Sequence, residues 1–196
     1  MVTLIKGDIM NIIQNIKEIN NQINSTKEIL KKINPKCVCN RGVIVELNNI
    51  KPKEEDIIYF VGGKCEQNYY NVFVTNKRIL FITSATFSSA QIQIPLEKIS
   101  SISRVKGIMT SKIKIWDGTI AGVEISGVPN DSANTFVNVV NEQLNNYKSF
   151  KIEVNKTVEK DITDKIEKLS DLYKSGILTE YEFNIKKMEL LEKLKK

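Results

Sequence analysis

The sequence of 196 residues contains no histidine, and this absence limits its chemistry more than any other feature of its composition. Histidine is the usual general base near neutral pH and the commonest metal ligand in proteins. Without it, an enzyme would need cysteine, lysine or carboxylate groups arranged as nucleophile and base, and no such arrangement stands out in the sequence. We therefore expect a protein that is not an enzyme and that needs no cofactor.

Cysteine is scarce as well, with Cys37, Cys39 and Cys65 as its three representatives. An odd number of cysteines without a regular spacing gives no disulfide framework and favours a reducing compartment. Structural zinc sites use four ligands, usually with cysteine pairs two to four residues apart, so Cys37-Val-Cys39 with one further thiol does not predict a metal site. We interpret the thiols as incidental.

Long apolar runs are also missing. The start, Met-Val-Thr-Leu-Ile-Lys-Gly-Asp, lacks the uninterrupted apolar stretch of a signal peptide. No run approaches the roughly 20 apolar residues that a membrane-spanning helix needs. We expect a cytoplasmic protein.

Arginine is rare too, since it accounts for only three of the 29 basic residues. Arginine is the preferred side chain for phosphate and guanine recognition, so nucleic-acid binding is not favoured. The net charge of +6 is spread along the chain and forms no basic tail. Isoleucine, asparagine and lysine are abundant, and their AT-rich codons indicate a bacterial or phage origin.

What is present begins with an amphipathic helix over residues 8–33. Its apolar positions follow a seven-residue repeat. They are Ile9, Ile12, Ile16, Ile19, Ile23, Leu30 and Ile33. Two interpretations remain open: a self-association helix, for which isoleucine at both heptad positions favours trimers or tetramers, or a helix packed on its own domain. A break near residues 24–26 would let Ser25 or Thr26 cap a second segment.

After Asn34-Pro35, which ends this helix, residues 42–47 form a short apolar run that we interpret as a strand or a buried connector. The polar residues 48–56 predict a linker or turn. Short strands follow. We predict them at 56–64, 68–75, 78–84, 90–95, 99–106, 112–117 and 119–126. The hairpin around Thr75-Asn76-Lys77 is central, with Asn76 suited to left-handed backbone, and Asp117-Gly118 marks a second tight turn.

A helix capped by Asn130 or Asp131 comes next, with an apolar stripe that includes Phe136, Val140 and Leu144. Seven antiparallel strands closed by one helix are the plan of a pleckstrin-homology (PH) fold. We therefore predict an α+β protein with an N-terminal amphipathic helix, a PH-like seven-stranded antiparallel barrel or sandwich capped by one helix, and a C-terminal helical hairpin.

Residues 54–146 resemble the small bacterial PH-like domains of the YokE-like type. The resemblance is carried by Tyr70-Asn-Val-Phe-Val-Thr-Asn-Lys-Arg-Ile-Leu-Phe-Ile82, by Ile94-Pro-Leu-Glu-Lys-Ile-Ser-Ser-Ile102, by Ile113-Lys-Ile-Trp-Asp-Gly118 and by Phe136-Val-Asn-Val-Val140. PH domains are known for binding phosphoinositides through a basic first hairpin. Here that loop, residues 62–68, has one lysine beside a glutamate, so this motif does not carry over.

The tail from about residue 158 resembles a SHOCT domain, a short C-terminal helical hairpin. The match lies in residues 166–183 and 186–191. Gly176 suits a left-handed helix end, and Thr179 with Glu182 forms a capping box before the second helix. Leu178 and Phe183 take the hydrophobic-staple positions around it.

These features divide the chain into an N-terminal helical segment and connector (1–50), a PH-like domain (51–147), a linker (148–157) and a SHOCT-like hairpin (158–196). A hairpin this small needs something to pack on, either its own PH-like domain, other copies or another protein. We predict self-association or partner binding through the helix faces. The residues are Ile9, Ile12, Ile16, Ile19, Ile23, Leu169, Tyr173, Leu178, Phe183, Met188 and Leu191.

A second surface is the predicted hairpin around Gly107-Ile-Met-Thr-Ser111, where cations at alternate positions would share one face beside an apolar tip. Its residues are Arg104, Lys106, Ile108, Met109, Lys112 and Lys114. Such a patch is either an ordinary solvated strand or a peripheral site for anionic membranes. The leading hypothesis is a binding and assembly protein that forms homo-oligomers or binds a protein partner. The alternatives are a peripheral lipid-binding protein and a phage or anti-phage regulator that captures a ligand or host factor.

Overall fold

The structure, a computed structural model, describes residues 2–85, 88–119 and 122–193, and within these it leaves out the side chains of 2–9, 84–85, 88–90 and 158. The helices are α1 (Val2–Ile33), α2 (Arg41–Ile50), α3 (Asn130–Lys174) and α4 (Glu180–Glu192), with a 3₁₀ turn at Leu96–Lys98. The strands are β1 (Ile57–Cys65), β2 (Asn68–Thr75), β3 (Arg78–Ala85), β4 (Ser88–Pro95), β5 (Ser101–Lys106), β6 (Thr110–Trp116) and β7 (Val123–Pro129). They form one antiparallel sheet in the order β4-β3-β2-β1-β7-β6-β5, which curls into a half-barrel.

The predicted α+β architecture is therefore confirmed, with seven strands among the described residues. The alternation predicted for β6 is present, because Ile113 and Ile115 are buried, while Lys112 before them is exposed and Lys114 between them is half-buried. The β2–β3 turn differs in one respect. The non-glycine residue with positive φ in the described chain is Glu66 and not Asn76. The Thr75 hydroxyl holds the turn instead, accepting the N–H groups of Lys77 and Arg78 at 3.1 and 3.0 Å.

Strands β1 to β3 are buried on both faces, which explains why their sequences are almost continuously apolar. One face contributes Phe60, Phe73, Leu80 and Ile82 to a core cluster with α1 and α2. The Phe60 and Phe73 rings stack in this cluster with centroids 5.4 Å apart. Alternate side chains point the other way in a strand, and those on the second face are buried too. They are Val61, Val72, Val74, Ile79 and Phe81.

For residues 42–47 the sequence left a strand or a buried connector open. The strand is wrong, because this run belongs to helix α2. Asn40 caps the helix by accepting the Val43 N–H, and Val43, Ile44 and Leu47 fall on one buried face. Their spacing of one, three and four residues is helical, and the cap residue was the signal that sequence reasoning passed over.

Helix α1 is unbroken from Val2 to Ile33, so the predicted interruption at residues 24–26 is absent. The Thr26 hydroxyl caps nothing; it donates to Asn48 Oδ1 of α2 at 2.9 Å. Asn34 ends α1 as predicted, and its buried side-chain amide donates to the Phe60 carbonyl at 2.9 Å. This bond fixes the end of α1 against β1.

Helix α3 begins at Asn130, one of the two residues predicted to cap it, and buries the expected stripe of Ala133, Phe136, Val140 and Leu144. It does not stop near Tyr147, because residues 148–157, predicted as a linker, are helical and belong to α3. The chain forms two compact units, Met1–Leu144 and Asn145–Lys196. The domain boundaries given from the sequence, at residues 50, 147 and 157, stay a prediction.

Closure of the half-barrel between β1 and β7 depends on Gly63. A Cβ atom at this position would lie 2.5 Å from Ile125 Cγ2 and 2.9 Å from the Ser126 carbonyl oxygen. No side chain fits at those distances, so the glycine permits the close approach of the two strands.

A buried ion pair joins the segment before β1 to the β2–β3 hairpin. Glu55 is 1% exposed, and Arg78 donates from Nε to its Oε1 at 2.9 Å and from a terminal nitrogen to its Oε2 at 2.7 Å. The Thr75 hydroxyl donates to the same carboxylate at 2.7 Å, and Arg78 also donates to the Ile50 carbonyl at the end of α2 at 3.0 Å. Burial acts to raise the pKa of Glu55, but the Arg78 and Thr75 hydrogen bonds outweigh it and hold that pKa below its usual value.

We expect Glu55→Ala to lower the free energy of unfolding by about 3 kcal/mol, because it leaves Arg78 without its carboxylate partner in a largely buried site. Urea unfolding of the full chain measures this effect. The matched control is Glu54→Ala, whose side chain is exposed. Equal losses for the two variants would contradict a stabilising role for the pair.

The same ion pair predicts acid sensitivity. A glutamate with a lowered pKa in the folded state stabilises the fold fully above its unfolded pKa of about 4.3, and this contribution is lost as the pH falls through the folded value. Between about pH 5 and pH 3 we expect the unfolding free energy of the native chain to fall more steeply than that of Glu55→Gln. Parallel curves from denaturant titrations at each pH would rule out this linkage.

Candidate functional site

The N-terminal half of α1 presents an exposed apolar surface, which we call the α1 stripe: Ile12, Ile13, Ile16 and Ile19. These side chains are 57, 46, 53 and 50% exposed. Ile23, one heptad after Ile16, is 4% exposed and belongs to the core cluster. The side chain of Ile9 lies outside the described residues.

The seven-residue repeat of α1 therefore has two environments. Ile23 and Leu30 pack against α2 and the sheet, as expected for a helix that covers its own domain. The α1 stripe continues the same repeat without cover from the described residues. The second half of the repeat thus packs on its own domain, while the first half is exposed, and self-association through it stays a prediction.

The tail hairpin has the local geometry that its sequence predicted. Thr179 Oγ1 accepts the Glu182 N–H, and the Glu182 carboxylate accepts the Thr179 N–H at 2.9 Å, which completes the capping box. Gly176 has φ +74° at the end of α3. The half-buried Phe183 ring stacks on Tyr173 with centroids 5.3 Å apart, and the Lys187 ammonium lies 5.7 Å from the Phe183 ring. Phe183 thus serves the internal packing of the hairpin.

Other predicted tail residues remain accessible. Tyr173 and Leu191 are 40 and 38% exposed, Met188 is 60% exposed, and Leu169 and Leu178 are half-buried. Leu169 also lines a groove of about 310 Å³ between the two helices. Its other lining residues are Lys165, Lys168, Leu172, Lys186, Glu189 and Leu190. The groove has a leucine floor and a mainly basic rim.

The β5–β6 hairpin does not place its cations on one face as predicted. In its register Val105 pairs with Lys112 and Ser103 pairs with Lys114, so both lysines share a face with Val105. Arg104 and Lys106 alternate with Val105 and therefore point to the opposite face. The prediction failed because the length of the turn was not known, and this length decides which residues of β5 and β6 pair with each other.

Most of these cations also have partners within the chain. Arg104 donates to the Asn130 carbonyl at 3.1 Å. Lys112 pairs with Glu124 at 3.1 Å, and Lys114 lies 5.2 Å from the Trp116 ring centroid. Lys106 is exposed beside the turn.

The turn itself is apolar and protrudes, since Ile108 is 100% exposed and Met109 is 82% exposed. It is fixed by Asn130, a residue that sequence reasoning assigned only to capping α3. The Asn130 side-chain amide donates to the carbonyls of Gly107 and Ile108 at 3.1 and 3.2 Å, and its Oδ1 accepts from Ser111 at 2.7 Å. No linear signal connects residues this far apart.

The thiols of Cys37 and Cys39 pack against the edge of the core cluster. Burial raises the pKa of both, that of Cys39 to about 12 with a further contribution from the neighbouring Cys37. The buried Asn71 side chain donates to the Val38 carbonyl at 3.2 Å and to Cys37 Sγ at 3.8 Å. Thiols held in this way are poor nucleophiles at neutral pH.

The β1–β2 end of the half-barrel, where the basic first hairpin of a PH domain would bind a phosphoinositide, carries mixed charge. A pocket of about 400 Å³ there is lined by Lys64, Glu66 and Glu124 among others. Two carboxylates against one ammonium do not favour an anionic ligand. None of the helices in the described parts of the chain is both long and apolar enough to cross a membrane.

Comparison with known families agrees with this geometry. A family model described as a bacterial PH domain matches residues 52–142, and a model described as a short C-terminal domain, SHOCT, matches residues 164–191. The chain therefore consists of a bacterial PH domain followed by a SHOCT domain, with α1 and α2 in front. Domains of both kinds are typically non-catalytic modules.

Individual relatives are distant. An uncharacterised protein of Archaeoglobus fulgidus is 24% identical, over 76% of this chain and 94% of its own. The Vps36 N-terminal PH domain is 15% identical with a TM-score of 0.42, covering 51% of this chain and 86% of its own. A DUF1696 protein with a pleckstrin-homology domain from Shewanella loihica is 18% identical with a TM-score of 0.37, covering 48% and 89%.

We expect Thr179→Ala to destabilise the start of α4 by about 1 kcal/mol, because the capping box loses the hydroxyl that accepts the Glu182 N–H. Amide hydrogen exchange in residues 180–192 measures this change. Thr163→Ala, in the middle of α3 and exposed, removes a hydroxyl where it caps nothing and serves as the control. Unchanged exchange in α4 of Thr179→Ala would show that the cap is dispensable.

Proposed function

We propose that this protein is a non-enzymatic binding and assembly protein, in which copies associate through the α1 stripe and the PH domain offers a recognition or scaffold surface. The α1 stripe carries this proposal. Four isoleucines about half exposed on one helix form an apolar surface of the kind that marks an interaction site.

The free energy that would be gained by burying the isoleucine side chains of the α1 stripe supports association. Full burial of an isoleucine side chain contributes about 1.5–3 kcal/mol, so each half-exposed side chain of the stripe would gain roughly 1 kcal/mol in a helix–helix interface. Of the residues between them, Gln14 and Asn15 are uncharged, and Lys17 and Glu18 carry opposite charges, so these positions add no net charge. Isoleucine at both heptad positions favours three or four helices over two.

The SHOCT hairpin supports the same function in a secondary way. Met188 and Leu191 are exposed on α4, and Tyr181 beside them is 75% exposed. A second weak contact on the same chain raises the overall affinity of an assembly, because it acts at the high effective concentration set by the first.

A role without catalysis agrees with the chemistry of the side chains. The chain has no histidine, the pKa values of its three thiols are raised by burial, and both domain types are typically non-catalytic. The three free thiols also suit the reducing cytoplasm.

We expect Ile12→Asp/Ile16→Asp to lower the molar mass of the full chain in solution, because two carboxylates cannot be buried unpaired in a helix–helix interface. Light scattering coupled to size exclusion, over a range of concentrations, measures the mass. The matched control is Gln14→Asp/Asn21→Asp, which adds the same charge to exposed positions on the polar face of α1.

The control should keep the native mass, and circular dichroism should show equal helix content in all three proteins. A second variant, Met188→Glu/Leu191→Glu, separates the contribution of the tail. It leaves the Tyr173–Phe183 stack intact, which replacement of Phe183 would not. If Ile12→Asp/Ile16→Asp keeps the native mass at every concentration, association through the α1 stripe is wrong.

A further inference from the structure

We propose that the tip of the β5–β6 hairpin is a membrane-contacting wedge that inserts Ile108 and Met109 into an anionic bilayer surface. This inference does not depend on assembly through the α1 stripe. It rests on three observations: the exposure of the tip, the internal hydrogen bonding of its backbone, and the position of the surrounding cations.

The exposure of the tip has no explanation in the packing of the fold. Ile108 is 100% exposed, Met109 is 82% exposed, and Val105, two residues before the turn, is 65% exposed. Single exposed apolar residues are common, but two adjacent ones at a protruding turn form a convex apolar surface. A convex surface suits a fluid bilayer, whose acyl chains adapt to it, better than the concave binding sites that grip a small ligand.

The Gly107 N–H and the carbonyls of Gly107 and Ile108 already have hydrogen-bond partners within the protein. The Gly107 N–H donates to the Thr110 carbonyl at 2.9 Å, and Asn130 donates to the carbonyls of Gly107 and Ile108. Ser111, which is 1% exposed, holds Asn130 from the other side. Unpaired backbone groups are costly in lipid, so the bonds from Asn130 to the two carbonyls lower the cost of moving this turn into the headgroup region. Its conformation is also set before binding, which reduces the entropy lost on insertion.

The cations flank the tip on both sides. Lys106 adjoins the turn on one face of the hairpin, and Lys112 and Lys114 lie on the other face. This arrangement, which the sequence did not predict, suits a hairpin that enters a surface end-on, because ammonium groups on either side can reach lipid phosphates. Glu124 is paired with Lys112, and in the β6–β7 register it lies opposite Lys114, farther from the tip than Lys106. Each cation near an anionic leaflet contributes about a fivefold increase in binding.

The test uses the full chain and vesicles of phosphatidylcholine with and without phosphatidylserine, at low salt, with co-sedimentation as the readout. We expect binding to the phosphatidylserine vesicles, a loss of about tenfold in Ile108→Ser/Met109→Ser, and a loss of about fivefold in Lys106→Gln. The control is Val38→Ser, which removes an apolar side chain that is 82% exposed elsewhere on the surface. Equal melting temperatures confirm that the variants fold.

The amphipathic α1 is the main competing membrane contact, and Ile12→Asp/Ile16→Asp addresses it. The wedge is supported if Ile12→Asp/Ile16→Asp still binds the vesicles and Ile108→Ser/Met109→Ser does not. It is overturned if Ile108→Ser/Met109→Ser still binds and Ile12→Asp/Ile16→Asp does not. It is also overturned if the native chain does not bind. A direct readout is Ile108→Trp, whose added fluorescence should be quenched by brominated acyl chains, whereas that of Val38→Trp should not. Equal quenching at both positions would also overturn the wedge. None of these results changes the light-scattering test, so the two proposals succeed or fail separately.

Discussion

The ion pair between Glu55 and Arg78 is the contact on which the relation between the helices and the sheet depends. Arg78 opens β3 and reaches three separate parts of the chain, namely the Glu55 carboxylate before β1, the Ile50 carbonyl at the end of α2, and Gln93 on β4. Thr75 adds the preceding turn to the same carboxylate. A charge this deeply buried is stable only with all its partners present, so the pair enforces one arrangement of these segments.

That arrangement has a consequence for function. Because α1 and α2 pack on one face of β1 to β3 and the other face is buried inside the half-barrel, the described side chains of these three strands leave neither face free for a partner. Among the described residues of the first unit, neighbouring apolar side chains are instead exposed together at the α1 stripe and at the β5–β6 tip. Both are extensions beyond the core, which explains how they can be exposed without loss of stability. The tail is built in a similar way: the Tyr173–Phe183 stack holds the hairpin together, while Met188 is exposed on its surface.

Sequence reasoning succeeded where the signal is local. The seven strands, the capping box at Thr179 and the start of α3 at Asn130 each follow from a few neighbouring residues. It failed where two distant segments decide the outcome. A short apolar run such as residues 42–47 fits a strand or a buried helix equally well, and only its place against the sheet settles which forms. Residues 148–157 are polar enough for a linker, yet a helix that is already nucleated extends through them.

The sequence by itself determined the α+β order of elements, since periodicity, caps and turns are encoded over a few residues, and its motifs carried the resemblance to a bacterial PH-like domain with a SHOCT-like tail. It also determined that no histidine chemistry is available. The tertiary structure alone decided which part of the isoleucine repeat is core and which is surface, and on which faces the hairpin cations lie. Burial and strand register depend on what packs alongside, and that partner lies far away in the chain.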